Sequence, residues 1–277
     1  MIRSLYTAAS GLVTGLRMQA TVAENLANAT TTGYKGERAA AREFAGVLAR
    51  SVGNAPVPVP LQLQTTLGRL GTGAFVNGRR VTLETGTPRS TGQPLDAMIQ
   101  GEGFFTVQAT DGVRYTRDGH FQRSQTNQLV TADGALVLDT NGQPITLATD
   151  NVRIDGAGQI FRRDLVDVID ADGLPATDVV ETLVGSFGIV TAGADELVRA
   201  GASQFTLAPG VQAAAITLGG DSTMLQHTLE ESNVQVAESS TQLMSLSRAF
   251  EASQHVFTTI NDTLRAAVQD VGRVSSR

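Results

Sequence analysis

The chain has 277 residues, of which 41% are hydrophobic and 17% charged, and its formal net charge at pH 7 is −6. A chain of this length can bury one or two substantial cores, and its acidic balance argues against nucleic acid or an anionic membrane as a partner. Cysteine is absent, which excludes disulfides, thiol catalysis and cysteine metal sites. Aromatic residues make up only 5% of the chain, so we expect a core of mainly aliphatic side chains.

Neither a cleavable signal peptide nor a transmembrane helix is expected. Arg3 and Arg17 interrupt the apolar residues of the N-terminus, where a signal peptide needs a continuous apolar segment. The sequence also lacks a run of about 18 apolar residues, the length that crosses a bilayer. If the protein leaves the cytoplasm, it uses a route that needs no such signal.

The N-terminal residues predict an amphipathic helix that ends near Asn28. Apolar residues recur at spacings of three and four, and Gln19 is the one polar break in their stripe. Threonines follow at 30–32, and Gly33 offers the left-handed turn that commonly ends a helix. The stripe consists of Ile2, Leu5, Ala9, Leu12, Leu16, Ala23 and Leu26.

The segment NLANATTTGYK, Asn25 to Lys35, is interpreted as the junction between this helix and an extended connector. Asparagine side chains at a helix end can satisfy the backbone groups that the helix leaves free. Lys35 is the only lysine of the chain, and from its position alone we expect a solvated loop residue. The predicted junction residues are Asn25, Asn28, Thr32, Gly33, Tyr34 and Lys35.

The middle of the chain changes from helical to extended patterns. Proline and glycine motifs, PVPVP at 56–60 and LGRLGTG at 67–73, indicate an extended connector. From about residue 94, short strand-like runs alternate with the turn signals TDG, TADG, TNG and GAG, which predicts an antiparallel domain of short strands and tight hairpins. Gly101 and Gly103 are expected to be turn glycines before a strand.

The C-terminal residues predict a second, longer helix. The motif SNVQ, Ser232 to Gln235, has the spacing of a capping box at a helix start. A seven-residue repeat then persists for six heptads, typical of a coiled-coil seam. Its first position is always apolar: Val236, Leu243, Phe250, Phe257, Leu264 and Val271. The position three residues later is half small or polar: Ser239, Leu246, Ser253, Ile260, Ala267 and Val274.

A helix of about 40 residues with one apolar seam is not stable alone in water. The N-terminal helix is the obvious partner, but its roughly 27 residues are too few to cover the whole seam. The remainder is then left for another copy or another protein. A heptad seam also packs within single chains, so an ordinary intramolecular helix hairpin is the alternative.

The predicted fold class is α+β, with long N- and C-terminal helices forming a coiled-coil layer around a central antiparallel β-rich domain of short strands. The helical domain is expected at residues 1–35 and 229–277, the extended connector at 36–90, and the β-rich domain with its return segment at 91–228.

We find no catalytic, metal or cofactor site in the sequence. The motif DADG at 170–173 lacks the acidic ligands of a calcium loop, and the three histidines lie far apart. The Gly-x-Ser-x-Gly motif of a hydrolase is absent. Three arginines, Arg79, Arg80 and Arg117, are expected to be surface charges.

Three motifs resemble the bacterial flagellar rod and hook protein family. YTAASGL at 6–12 with NLANATTTGYK is similar to that family's N-terminal motif. TGQPLDAMIQGEGFFTV at 91–107, followed by RYTRDGHF and QLVTADGALVL, resembles the start of its β domain, and LEESNVQVAESSTQLMSLSRAFEASQ at 229–254 its C-terminal helix. One β domain between two helices resembles the proximal or the distal rod type, and the motifs divide evenly between the two.

The resemblance implies a structural subunit of the basal-body rod rather than an enzyme, with no cofactor and no small-molecule substrate. It implies type III export without a cleavable signal, and assembly into a helical axial tube that transmits torque for motility and encloses the export channel. The implied partners are copies of the chain, other rod and hook proteins and the export apparatus. The expected subunit-interface seam comprises Leu5, Leu12, Leu16, Leu26, Val236, Leu243, Leu246, Phe250, Phe257, Ile260, Leu264 and Val271.

Two other classes of function are compatible with the sequence pattern. A terminal coiled coil can dimerise a soluble β-domain binding module, which would give a discrete dimer rather than a polymer. A β-rich hydrolase would need a pocket with convergent polar groups within residues 94–215.

Overall fold

The computed structural model describes residues 2–43, 73–169, 175–212, 214–215 and 222–274. Within these residues the chain has an α+β fold, with one helix near each end and short strands between them. The helices are α1, Ile2–Ala27, and α2, Val236–Val274. The strands are β1 Glu37–Glu43, β2 Ala74–Val81, β3 Pro88–Ser90, β4 Ala97–Gln100, β5 Phe104–Ala109, β6 Gly112–Thr116, β7 Phe121–Arg123, β8 Leu129–Thr131, β9 Leu136–Val137, β10 Val152–Ile154, β11 Gln159–Ile169, β12 Pro175–Ser186, β13 Ile189–Thr191, β14 Leu197–Arg199, β15 Gln204–Leu207, β16 Ala214–Ala215, β17 Thr223–Gln226 and β18 Thr228–Glu230.

The predicted start of the second helix is wrong, because SNVQ does not cap it. The first helical bond at this end runs from the Ser239 N–H to the Gln235 carbonyl oxygen, and α2 begins at Val236. Ser232 instead accepts a bond from the Val234 N–H at 3.3 Å. The neighbouring Asn233 donates to backbone carbonyls of Thr82 and Glu84, so this segment stays extended.

The strands pair antiparallel, and the predicted turns join them. In the largest sheet β5 and β6 pair through a two-residue hairpin, and β7, β8 and β9 continue at its other edge. Gly134 and Gly142 close the TADG and DTNG turns with positive φ angles of 82° and 75°. Gly101 and Gly103 also have positive φ and precede β5, as expected. The DADG and PVPVP motifs lie outside the described residues.

Phenylalanines contribute more to the β core than the low aromatic content suggested. Phe105 packs edge-to-face against Phe121 and Phe187, with ring centroids 5.0 and 5.4 Å apart. These rings belong to a buried cluster that is otherwise mainly aliphatic. A few large rings at one point therefore suffice to fix the packing of several short strands.

The chain divides into two compact units whose boundaries differ from the expected ones. The helical unit comprises Met1–Leu26, Glu37–Arg80 and Gln235–Arg277, and the β unit comprises Ala27–Gly36 and Val81–Val234. The segment after α1 and the segment before α2 thus both belong to the β unit. The boundary expected at residue 229 falls six residues before the one observed.

In the helical unit, α1 packs antiparallel on part of α2. Gln19 Nε2 donates to Ser247 Oγ at 3.1 Å, so the one polar break in the predicted stripe has a partner. A Cβ added at Gly15 would lie 4.0 Å from the Phe250 ring, and Leu12 lines a cleft with Phe257. Gln19, Gly15 and Leu12 thus lie near Ser247, Phe250 and Phe257, respectively. Residue numbers fall along α1 while they rise along α2, so the two helices are antiparallel.

Strand β2 is another neighbour of α1 in this unit. The Thr14 hydroxyl donates to the Ala74 carbonyl oxygen at 2.9 Å, and Ser10 Oγ accepts a bond from the Ala74 N–H at 3.3 Å. Arg79 forms an ion pair with Glu24 at 2.8 Å. Neither helix, over the residues the structure describes, combines the length and apolarity needed to cross a membrane.

Candidate functional site

The junction segment is held in the β unit by the segment that precedes α2. The Gly33 N–H donates to the Glu230 carbonyl oxygen at 2.8 Å. The Gly36 N–H donates to Asn233 Oδ1 at 2.8 Å, and its carbonyl oxygen accepts a bond from the Thr82 N–H. Residues nearly 200 positions apart in sequence therefore share one network of hydrogen bonds.

A buried ion cluster, defined here as Lys35, Arg117 and Glu230, lies at the centre of this network. Lys35 Nζ is 2.6 Å from Glu230 Oε1, and Arg117 Nη1 is 3.2 Å from Glu230 Oε2. The exposed fractions of the three side chains are 1%, 3% and 1%, respectively. Buried charges are stable only when they are paired and hydrogen-bonded, so one carboxylate here compensates two cations.

Backbone groups also form hydrogen bonds with the ion cluster. Lys35 Nζ also donates to the Glu84 carbonyl oxygen at 2.7 Å, and the Gly86 N–H donates to Glu230 Oε1 at 2.7 Å. Arg117 donates to the carbonyl oxygens of Ile99 and Gly101, at 2.9 and 2.6 Å. The cluster therefore holds together chain segments that are remote in sequence.

Burial dominates the electrostatics of the two cations. Desolvation lowers the pKa of the Lys35 ammonium, and the Glu230 carboxylate opposes that shift. The pKa of the Arg117 guanidinium is lowered for the same reason, with Glu230 again opposing. Both cations depend on one carboxylate. Loss of the Glu230 charge is therefore expected to destabilise the cluster more than loss of either cation.

The backbone packs closely at two glycines around the cluster. Gly33 has a φ of +65°, and an added Cβ would lie 2.3 Å from the Asp118 nitrogen. At Gly86 an added Cβ would lie 1.9 Å from the Glu231 carbonyl oxygen. Only glycine fits such close approaches of two backbones.

Tyr34 closes the other side of the junction. Its side chain is 1% exposed, and the Arg199 guanidinium lies over its ring at 4.4 Å. Arg199 also lies over the Phe205 ring at 5.0 Å and donates to the Lys35 carbonyl oxygen. The motif TTGYK thus supplies a close-packed glycine, a buried ring and a buried cation in succession.

Two sequence-based predictions about charged residues are wrong. Lys35 is buried rather than solvated, and Arg117 is buried rather than a surface charge. Arg79 is 44% exposed and Arg80 is exposed, as expected of surface charges. The residues next to Lys35 and Arg117 in sequence do not indicate that these two side chains are buried. Their burial depends on the Glu230 carboxylate, which lies far along the chain.

Asn25, near the end of α1, binds the backbone of Glu37 at the start of β1. Its Nδ2 donates to the Glu37 carbonyl oxygen at 2.7 Å, and its Oδ1 accepts a bond from the Glu37 N–H at 2.9 Å. Asn28 accepts a bond from the Thr31 hydroxyl through its side chain. Thr32 is partly buried at the turn that follows.

The predicted seam of α2 is only partly covered within the chain. Val236 is 52% exposed, whereas Ser239 is 9% exposed. The side chain of Val271 lies outside those the structure describes. Between these ends, the partly buried positions follow the heptad repeat, while most of their neighbours are exposed; they include Leu243, Leu246, Phe250, Ser253, Phe257, Ile260, Leu264 and Ala267.

On α1 the buried side differs from the predicted stripe. Thr14, Thr21 and Val22 are the buried residues, at 6%, 2% and 6% exposure. Leu16 is 49% exposed. Leu5, Leu12 and Leu26 are partly buried. The periodicity indicated a helix correctly, but not which of its faces is covered within the chain.

A cleft of about 730 Å³ lies in the β unit, and both polar and apolar side chains line it. Two of its polar side chains bind other groups of the chain: Glu196 accepts a bond from the Gly193 N–H, and Arg117 belongs to the ion cluster. Among the residues that the structure describes, no group of histidine and carboxylate side chains is arranged to hold a metal ion.

The fold belongs to the class in which an antiparallel β unit is inserted, in sequence, between the two helices of a helical unit. Three family profiles match the chain in this order. They are a flagella basal body rod protein profile at residues 5–35, a FlgE/F/G D1 domain profile of flagellar hook proteins at 98–162, and a flagellar basal body rod FlgEFG C-terminal profile at 225–270.

Full-length relatives extend these matches. The chain is 30% identical to the flagellar basal-body rod protein FlgG of Bacillus subtilis, over 97% of this chain and 98% of the relative. It is also 30% identical to the proteins FlgG and FlgF of Caulobacter vibrioides, over 97% and 99% of this chain and 99% and 100% of the relatives. The chain belongs to the flagellar basal-body rod and hook protein family.

Membership of this family gives the protein a structural role in the rod of the flagellar basal body and not an enzymatic one. The N-terminal profile ends at Lys35, and the C-terminal profile begins at Leu225 and includes Glu230. Two members of the buried ion cluster therefore lie in the two terminal profiles. The third, Arg117, lies within the D1 profile.

Proposed function

We propose that the protein is a rod subunit that polymerises into a helical axial tube, transmits torque along it and encloses the export channel. In this proposal the antiparallel helices form a coiled-coil inner layer and the β unit an outer layer. The subunit reaches the rod by type III export without a cleavable signal. Its partners are copies of itself, other rod and hook proteins and the export apparatus.

The observation that carries the proposal is the incomplete cover of α2. Helix α2 has 39 residues and α1 has 26, so about 20 Å of α2 extends beyond the length that α1 can cover. Seam residues such as Leu243 and Phe257 remain partly exposed along this helix. A long helix with an unfilled apolar seam requires further packing partners. Neighbouring subunits of a polymer supply them in a contact that does not close into a ring.

Assembly of the purified protein tests this proposal directly. We expect concentration-dependent polymers by negative-stain electron microscopy, and incorporation into purified basal bodies. The competing possibility is a soluble β-domain module that α2 merely dimerises. That protein would sediment as a discrete dimer even when its concentration is raised. Such a result would contradict the rod proposal.

Replacing Leu243 or Phe257 with aspartate is expected to block assembly and swimming while leaving the β unit folded. The new carboxylate would have to be buried without a partner in the seam, and the β unit is a separate compact unit. Swimming on soft agar and circular dichroism of the purified variants measure the two effects. The matched control is Thr241→Asp, at an exposed position two residues before Leu243, which is expected to swim normally. Normal swimming of both seam variants would remove the seam from the mechanism.

A further inference from the structure

Helix α1 has three faces, and described parts of the chain contact two of them. One face lies towards α2: Gln19 bonds to Ser247, and Leu12 and Gly15 lie on the same side of the helix. A second face, about 100° or more around the helix, contacts β2 through Ser10 and Thr14. A surface helix normally presents charged or polar residues on the side that remains.

The third face of α1 is apolar instead. At about 100° per residue, seven apolar residues share one side of the helix with the regular three-and-four spacing of a second seam. Tyr6, Val13 and Leu16 are 71%, 50% and 49% exposed, and the charged residues Arg17 and Glu24 lie only at one edge of the series. We call this the α1 outer face; it consists of Tyr6, Ala9, Val13, Leu16, Ala20, Ala23 and Ala27.

Helix α2 carries an uncharged flank of the same periodicity. Its members are all exposed, and the hydroxyls of Ser245, Thr259 and Thr263 donate to carbonyl oxygens of their own helix. Most of this flank can therefore be buried without leaving hydroxyl donors unpaired. We call it the α2 flank; it consists of Gln242, Ser245, Ala249, Ala252, Val256, Thr259, Thr263 and Ala266.

The two surfaces lie on opposite edges of the helix pair. Leu12 is next to the α1 outer face on the helical wheel, and it lines its cleft with Glu251 and Thr258. The outer face is therefore on the Glu251 side of α2. The α2 flank, which contains Val256, is on the other side of the seam.

From this arrangement we propose that the α1 outer face of one copy docks against the α2 flank of the next copy. The inference rests on the proposed rod function and adds a second pair of joining surfaces to the seam of α2. Because the surfaces are different and lie on opposite edges of the pair, each copy offers one free surface of each kind. Such a contact repeats from copy to copy instead of closing into a dimer. The large side chains Tyr6, Val13 and Leu16 then fit between the small side chains of the flank, as knobs into holes.

The size of the surface supports a polymer contact rather than a dimer. The outer face spans 21 residue steps, or roughly 32 Å at 1.5 Å per residue, and about 10 Å across a helix. The outer face therefore has an area of roughly 300 Å². This area is well below the roughly 800 Å² that each partner of a stable protein pair buries. We therefore expect this contact to hold only when several copies assemble together.

Charge substitutions on the two edges test the proposal in the full-length protein. Leu16→Glu and Val256→Glu are each expected to lower the amount of sedimenting polymer by about tenfold or more, because the new charge is buried at the contact. Met244→Glu is the matched control. Met244 and Val256 are 57% and 54% exposed on opposite sides of α2, and we expect the Met244 variant to polymerise within about twofold of the wild type.

Cysteine cross-linking gives a second measurement that does not depend on disrupting the contact, and the natural chain contributes no background thiol. Leu16→Cys protein is mixed with protein carrying one cysteine at Ala249, Ala252, Val256 or Thr259, assembled and oxidised. We expect mixed disulfide dimers with at least one of these four. The control partner, Met244→Cys, is expected to give none.

The outcomes separate this inference from the rod function itself. If the wild type polymerises but Leu16→Glu and Val256→Glu polymerise equally well, the proposed contact is wrong while the rod function stands. Cross-linking of Leu16→Cys to itself or to Met244→Cys would also overturn the contact. Failure of the wild type to polymerise or to enter basal bodies would overturn the rod function, and the contact with it.

Discussion

Replacing Glu230 with glutamine is expected to destabilise the β unit by about 3–5 kcal/mol, because two buried cations lose their common counter-charge. The Glu230 carboxylate is 1% exposed and accepts bonds from Lys35, Arg117 and the Gly86 N–H. Urea unfolding followed by tyrosine fluorescence measures the effect, since Tyr34 is buried in the same junction.

The adjacent residue provides the control for this substitution. Glu231 is 50% exposed and lies 3.4 Å from Arg89, which is 56% exposed, so Glu231→Gln is expected to change stability by less than about 1 kcal/mol. Adding Lys35→Met to Glu230→Gln should recover part of the loss, because one of the uncompensated cations is then removed. Equal effects of Glu230→Gln and Glu231→Gln would show that the buried ion cluster does not stabilise the fold.

Substituting Gly33 with alanine is expected to cost about 3 kcal/mol or more and to prevent folding of much of the protein. A side chain at φ +65° is itself strained, and its Cβ would meet the backbone of Arg117 and Asp118 at 2.4 and 2.3 Å. The backbone cannot move away without breaking the Gly33 hydrogen bond to Glu230. The yield of soluble protein and the thermal midpoint of the β unit measure the loss.

Gly92 separates the two causes of this effect. Its φ is +71°, close to that of Gly33, but nothing lies within 4 Å of an added Cβ. Gly92→Ala is therefore expected to cost only the backbone strain, about 1–2 kcal/mol. If the two variants lose the same stability, the close approach at Gly33 has no energetic consequence.

Local patterns predicted the helices and turns well because those elements depend on nearby residues. The end of α1 is within one residue of the expected position, and the TADG and DTNG hairpins form where glycine permits a positive φ. The start of α2 is the exception. The sequence at Ser232 has the form of a cap, but Asn233 binds backbone of the β unit and the helix begins three residues later than a cap at Ser232 would place it.

The candidate site was predicted only in part. The motif TTGYK marked the right segment of chain, yet it gave no indication that Lys35 is buried. That burial depends on Glu230, 195 positions away, and on Arg117 from a third part of the sequence. Periodicity has a similar limit on α1: residues such as Leu16 and Val22 fit helical stripes equally well, and only the neighbouring elements decide which side is covered.

The burial of Lys35 also has a practical consequence for the chemistry of the protein. Lys35 carries the only side-chain primary amine in the sequence, and its ammonium group is enclosed by Glu230 and the Glu84 carbonyl oxygen. Acylating reagents need an accessible, unprotonated amine, so they should spare this residue in the folded protein and modify it when the junction opens. Mass spectrometry of acylated Lys35 would then serve as a built-in reporter of opening at this one point of the fold.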